Sequence, residues 1–308
     1  MSIVFGPVPS RRLGYSLGID LLPPDHKLCT LDCIYCQVGC TYAKSLKRGL
    51  PVPTAEVNRA IDENLPKNGI DVVSFSGSGE PTLHRDLGQF IDRVKNRCRT
   101  PVVVITNATL IDRPDVRHDL AKADIVVPSL DAATQTMFEK LDRPHAGLRV
   151  DRIIDGLEEF RREYPGKIFL EIMLVKGYND DPAELMALRR AMDRLRPDKI
   201  HLNTVVRPPA EEYAQALSPA ELERIAQMFG PAASVAGPPP TANRSPDDDD
   251  LETRVLEMIR RRSVTLEDIT KSLGLHKIVA TKIVEKLIAE KNIKRVVHGG
   301  VIYFREFY

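Results

Sequence analysis

The stretch Cys29-Thr-Leu-Asp-Cys33-Ile-Tyr-Cys36 sets three thiols in the spacing C-x3-C-x2-C, just after the apolar run Ser16 to Leu22. Three thiolates so placed can take three corners of one metal cluster. A structural zinc ion usually takes four protein ligands, whereas an iron-sulfur cube held at three corners leaves one iron open for a substrate. The stretch also frames the rest of the chain. A loop that carries chemistry directly after a first strand is where barrels and doubly wound α/β proteins build their sites, at the carboxyl ends of parallel strands.

Outward from that loop, apolar β-branched runs alternate with amphipathic segments as far as residue 230. Strands are expected at Ser16 to Leu22, Val72 to Phe75, Val102 to Thr106, Ile125 to Pro128, Ile168 to Val175 and Ile200 to Val205. Helical patterns fall at Thr54 to Asn64, Leu87 to Cys98, Val116 to Ala121, Thr134 to Leu141, Val150 to Arg161, Pro182 to Leu195 and Pro219 to Phe229. Six βα units read as a parallel sheet covered by helices, because strands buried on both faces appear as continuous apolar runs. Periodicity alone leaves open whether the sheet opens as a doubly wound fold or curls into a barrel.

At 308 residues with 43% apolar content, the chain has material for about two domains with real cores. Its net charge of +1 argues for neither nucleic acid nor membrane, but the balance is uneven. Residues 251–308 hold 12 Lys or Arg against 7 Asp or Glu, net +5, which leaves −4 for residues 1–250. Early prolines followed by Arg11 and Arg12 are the reverse of a secretory signal, and no apolar run approaches a membrane span. A cytoplasmic protein is expected. Five cysteines, three of them bunched, do not make a disulfide framework for this size of chain.

Residues 231–250, with Gly-Pro-Pro-Pro at 237–240 and aspartates at 247–250, read as a linker between a domain at 1–230 and a module at 251–308. Beyond it the apolar period becomes helical. Thr265-Leu-Glu-Asp268 has the form of a capping box, Ser272-Leu-Gly-Leu275 that of a tight turn, and His298-Gly299-Gly300 that of a hairpin turn needing positive φ. Three helices and a hairpin predict a winged helix-turn-helix. With net +5 it suits nucleic acid, with His276 to Glu290 entering a groove and Lys277, Thr281, Lys282, Lys294 and Arg295 as contacts. Many such modules instead bind peptides or their own catalytic domain.

A zinc knuckle or a redox Cys33-x-x-Cys36 are rival readings of the cysteines. The third thiol at Cys29, the lack of a matched Cys or His pair downstream and the place after a first strand weaken both. The motif, with Tyr35 before its last cysteine, resembles the signature of the radical SAM superfamily. The wider run from Gly6-Pro-Val-Pro-Ser-Arg-Arg-Leu-Gly14 through Cys36-Gln37-x-Gly39 resembles a branch related to the wyosine-type tRNA synthases. The resemblance spans roughly residues 6–230.

That resemblance implies a (β/α)6 partial TIM barrel with Cys29, Cys33 and Cys36 ligating a [4Fe-4S] cluster. The open iron would be chelated by S-adenosylmethionine (SAM), which one electron cleaves to a 5′-deoxyadenosyl radical. A flavodoxin or ferredoxin type electron donor is then expected. Ser76-Gly77-Ser78-Gly79-Glu80 resembles the family's Gly-Gly-Glu turn, and glycines there let backbone approach a ligand while Glu80 puts negative charge near its ammonium. Asn107, Ser129 and Asp131, at the next two strand ends, match the places of ribose and carboxylate contacts, or else cap the following helices.

Glu171, a carboxylate inside an apolar strand, calls for an ion pair or a ligand. Asn203 and Arg207 are candidate adenine or substrate contacts, or else Arg207, standing before two prolines, only stabilises a loop. Arg11 and Arg12 either face an anionic group or form surface ion pairs. Cys40 as a fourth ligand would close the open iron, so a free thiol is expected there, and Cys98 is read as a core residue. Without further cysteines no second cluster is expected, which counts against the wyosine-synthase reaction itself. The substrate is expected to be a macromolecule, RNA or peptide, delivered by residues 251–308. The rival class is an iron-sulfur sensing transcription regulator that binds DNA through the winged helix.

Overall fold

The computed structural model describes residues 2–23, 26–66, 69–237 and 251–307. Val4–Ser10 (β1) and Gly14–Ile19 (β2) pair antiparallel, and β2 then begins a parallel series. It continues through Val72–Phe75 (β3), Val102–Thr106 (β4), Ile125–Pro128 (β5), Lys167–Leu174 (β6), Lys199–Thr204 (β7) and Ala233–Val235 (β8). Helices fill the crossovers at Thr54–Asn64 (α1), Leu87–Lys95 (α2), Pro114–Leu120 (α3), Gln135–Leu141 (α4), Val150–Glu163 (α5), Pro182–Leu195 (α6) and Pro219–Phe229 (α7). The eight strands lie side by side in chain order, with no reversal. A doubly wound sheet needs a reversal, where its helices change face. An unreversed series of crossovers of one hand keeps the helices on one side, so the sheet is of the partial-barrel kind.

Alternation along β6 shows how the two faces divide. Ile168, Leu170, Ile172 and Leu174 are fully buried in the large core under the helices. Phe169 points the other way and joins Leu13, Val72, Val103 and Val127 in a small apolar plug inside the curved sheet. Towards the carboxyl ends the inner lining turns polar: Ser16 and Ser74 share a 2.7 Å hydrogen bond, and Glu171 stands two residues beyond Phe169. The site therefore has an apolar floor and polar walls.

Two strands depart from the sequence reading. β1 carries Pro7 and Pro9, which argue against a strand, yet it lies at the sheet edge, where a missing N–H costs no ladder bond. β8 falls inside the segment assigned to the linker; its three residues pair with Ile200, His201 and Leu202, too few to show a period. The parallel strands following β2 thus number six rather than five. The rest of the expected linker, residues 238–250, lies outside the described residues.

Residues 251–307 fold as Leu251–Arg261 (α8), Leu266–Leu273 (α9), Lys277–Ala289 (α10) and an antiparallel hairpin, Ile293–His298 (β9) with Val301–Glu306 (β10). Thr265 and Asp268 form the expected capping box. Gly274 ends α9 at φ 65°, and Gly299 and Gly300 turn the hairpin at φ 58° and 75°. Val255, Ile259, Ile269, Ala280, Val284, Leu287 and Phe304 make a core separate from that of the barrel.

Phe75 is fully buried on the helix-facing side of β3. Phe75→Ala is expected to lower the unfolding free energy by about 3–5 kcal/mol in urea titrations. A loss under ~1 kcal/mol would mean that β3 does not pack on the helices as described.

Candidate active site

The cysteine loop is stitched to the barrel by backbone. Asp32 N and Ile34 N donate to the carbonyls of Asp142 (3.0 Å) and Leu141 (3.0 Å), past the end of α4. On its other side Glu80 N donates to Leu28 O at 3.1 Å. Cys36 N donates to Cys33 O (3.1 Å) and Gly39 N to Cys36 O (3.2 Å), so two successive turns present the thiols. Cys29 and Cys33 are buried, Cys36 is half-buried, and none is in a disulfide. Burial pushes the Cys29 thiol up to about 11, and burial with the nearby Asp142 raises Cys33 well above its ordinary value. Thiolates at these positions therefore need a cation beyond the protein's own. Lys27 supplies part of one, donating to Cys36 Sγ at 3.2 Å and to Gly39 O at 2.7 Å.

The glycine-rich turn packs on this loop directly. A Cβ on Gly79 would land on the carbonyl oxygen of Leu28, and one on Gly77 on the carboxylate of Asp20, which accepts from Ser78 N at 2.9 Å. These glycines are required by the close approach of two protein segments. Glu80 lies within, 1% exposed. Its Oε1 accepts from Thr82 N (3.0 Å), Thr82 Oγ1 (2.6 Å) and Thr106 Oγ1 (2.6 Å), and its Oε2 from Asn107 N (2.7 Å). Burial raises the Glu80 pKa, and the four donors oppose the rise. These bonds tie the end of β3 to the end of β4, and Glu80 also lines the cavity beside the thiols, where a negative charge is expected.

Asn107 does not cap a helix. Its Nδ2 donates to Thr30 Oγ1 (2.8 Å) and contacts Cys29 Sγ (3.5 Å), and its Oδ1 accepts from Thr109. Ser129 lines the cavity beside the thiols. Asp131 is taken up otherwise: Oδ1 accepts from Met173 N at 2.6 Å and Oδ2 from Tyr35 OH, which also reaches Asp142 at 3.3 Å. Burial raises both carboxyls, and the charge of Asp131 raises Asp142 further. Asp142 had no signal in the sequence beyond being a charge after the buried Leu141.

The remaining expectations resolve into structure. Arg12 is paired with Glu171 inside the barrel, and Asn203 donates to Glu171 at 3.2 Å. Arg11 donates to Asn203 Oδ1 (2.9 Å) and to the carbonyls of Ala236 and Gly237. Among the described residues neither arginine forms a surface ion pair. Arg207 lines the cavity, as does Asn203, and it also donates to Ser263 O at 2.6 Å and meets Asp268 at 3.2 Å, holding the C-terminal module. Cys40 is exposed and Cys98 packs at the core's edge.

All three thiols, Ser76, Gly77, Gly79, Asn107, Ser129 and Asp131 line one cavity of about 550 Å³ at the carboxyl ends of the strands. Its outer wall comes from α8 and the end of α9. Among the described residues no three Cys, His, Asp or Glu side chains are gathered as for one metal ion. Among them, too, no helix is long and apolar enough to cross a membrane.

The family model of the Radical SAM superfamily matches residues 26–189. A UPF0026 protein of Synechocystis is 34% identical over 67% of this chain and 76% of its own length. One from Methanocaldococcus jannaschii is 29% identical over 99% and 96%. A protein of Brachyspira hyodysenteriae named GTPase Obg is 33% identical over 98% of this chain, which spans only 45% of that relative. Among solved structures, HydG, a maturase of the [FeFe]-hydrogenase, shares the fold with a TM-score of 0.52 and 14% identity, over 85% of this chain and 57% of that one.

Glu80→Gln keeps the shape but turns one acceptor oxygen into a donor facing donors. In the metal-free protein, Cys29 and Cys33 should then react with a thiol reagent about 5- to 100-fold faster, matching ~1–3 kcal/mol of easier local opening. Unchanged rates would show that Glu80 does not hold the loop.

Proposed function

Because the chain belongs to the Radical SAM superfamily, and with it to the UPF0026 proteins, we propose that Cys29, Cys33 and Cys36 hold a [4Fe-4S] cluster whose fourth iron binds S-adenosylmethionine. The chain is an enzyme of that superfamily. The donor set fits the group. Three soft thiols, and among the described residues no fourth thiol, face one cavity, and each cysteine sulfur would ligate its own iron of the cube, so they need not converge on a point. Buried thiols whose pKa is raised, as those of Cys29 and Cys33 are, become thiolates when iron supplies the charge. When bound, the cluster supplies the electron that cleaves SAM to a 5′-deoxyadenosyl radical.

The chain's own residues bind, orient and exclude water. Backbone of Ser76, Gly77 and Gly79 is offered to the methionyl end, with the Glu80 carboxylate beside it and Ser78 holding the turn on Asp20. Asn107 fixes Thr30 and contacts Cys29, and Ser129 offers its hydroxyl to ribose or carboxylate. The observation that carries this reading is the shared wall: cluster thiols and glycine turn meet in one cavity of SAM-holding size. A flavodoxin or ferredoxin type protein would donate the electron.

Residues 251–308 we read as a winged helix, supported by the order of three helices, Gly274 turn and hairpin. Its hairpin is not free for phosphate along its whole length, since Tyr303 OH donates to Val206 O at 2.6 Å and His298 lies 3.1 Å from Val205 O. Lys277, Lys282 and Arg295 stay exposed on the outer side and suit RNA.

Anaerobic reconstitution with SAM and dithionite is expected to yield 5′-deoxyadenosine, and Cys33→Ala to reduce it to background. Intact SAM after prolonged reduction would sink the reading. For the outer face, replacing Lys277 and Lys282 together by Glu should weaken RNA binding and flatten its salt dependence; identical affinity would reject RNA there.

A further inference from the structure

The cavity's outer wall carries more cation than the reaction so far uses. Arg254, Met258 and Arg262 recur at four-residue steps along α8 and just past its end, and all three line the cavity. Four other arginines line it too, and each has a partner: Arg11 with Asn203, Arg12 with Glu171, Arg207 with Asp268, and Arg261 with the Ser2 carbonyl and the Phe5 ring, 4.2 Å away. Arg254 and Arg262 have no hydrogen bond or ion pair among the described residues.

Arg262 is the sharper case. Its charged neighbours are Arg207 and Arg12, which repel it, and Asp268, which Arg207 already engages. Burial and those two arginines lower it to about 10, still charged at neutral pH. A guanidinium held in a cavity beside two others is costly unless a ligand compensates it. SAM does not serve, since its sulfonium and ammonium outnumber its one carboxylate, which the proposed reading assigns to the open iron.

We propose that Arg262, with Arg254 on the same helix face, binds an oxyanion of the second substrate, a phosphate group of a small molecule enclosed between the barrel mouth and the C-terminal module. The proposal rests on the radical SAM reading of the same cavity. Phosphate is favoured over carboxylate because it brings close to two negative charges and three acceptor oxygens to a site with two guanidiniums that have no partner among the described residues. The module is then part of the active site, its inner face selecting the substrate.

The test uses the full chain, reconstituted anaerobically, titrated calorimetrically at low salt with inorganic phosphate and, in parallel, malonate. Phosphate is expected to bind more tightly than malonate. Arg262→Gln should weaken phosphate at least about tenfold, Arg254→Gln should weaken it too, and Arg260→Gln, which loses only the pair with Glu306, should bind as the parent does. Equal phosphate affinity in the parent and in Arg262→Gln, or no binding of either probe by the parent, would overturn the proposal. Malonate binding tighter than phosphate would overturn the phosphate assignment. 5′-Deoxyadenosine formation is followed in the same samples. Arg262-dependent phosphate binding in a protein that leaves SAM intact would sink the radical reading and leave the anion site standing.

Discussion

A buried carboxylate with no cation paired to it among the described residues organises this site. Glu80 accepts four hydrogen bonds, from Thr82, Thr106 and Asn107, and its own N–H reaches Leu28. Those bonds fix the end of β3, the end of β4 and the approach to Cys29 in one knot. An ionised carboxylate with four donors tolerates such burial, whereas losing any donor would leave it undercompensated. The glycines follow from the same knot, because only a residue without Cβ lets the turn lie on the Leu28 carbonyl.

A second chain of contacts crosses the barrel interior. Arg12, Glu171, Asn203 and Arg11 link the β1–β2 connection to β6, β7 and the carbonyls of Ala236 and Gly237. The strand order alone would leave β1 and β8 as far edges of an open sheet. Arg11 spans them, joining residues at both ends of the series. Its guanidinium fork meets an amide oxygen and two carbonyls at once, which a lysine ammonium on its flexible stem could not reproduce in the same plane. The C-terminal module leans on these same edges through Ser2, Phe5, Val205, Val206 and Arg207.

What the chain disclosed in advance was whatever rests on local chemistry. α1, α6 and α7 have the expected bounds, because Asp181 and Ser218 cap α6 and α7, Pro182 and Pro219 start them, and the apolar stripes are clean. Strands β3, β4 and β5 also match, being short apolar runs between turns. Hidden were features decided by distant partners. β1 contains prolines that only an edge position tolerates, and β8 is too short for a pattern. Glu171 read equally as ligand or ion pair until Arg12, 159 positions away, was placed beside it. The roles of Arg207 and Asp142 depend on a docked module and on a tyrosine of the cysteine loop, neither adjacent in sequence.

Net charge shows the same limit in its plainest form. The +5 of residues 251–308 suggested a nucleic-acid surface, yet charge summed along a sequence carries no direction. In the fold, Arg254, Arg261 and Arg262 turn inward to the cavity, Arg260 pairs with Glu306, and Lys286 and Lys271 pair with Glu252 and Glu267. The outer face keeps Lys277, Lys282 and Arg295 beside exposed Ile278 and Val297, 61% and 69% accessible. Exposed apolar residues interrupt the lysines of that face, while two guanidiniums with no partner among the described residues, Arg254 and Arg262, lie on the inner one. The basic excess that pointed away from the active site thus has its least compensated part within it.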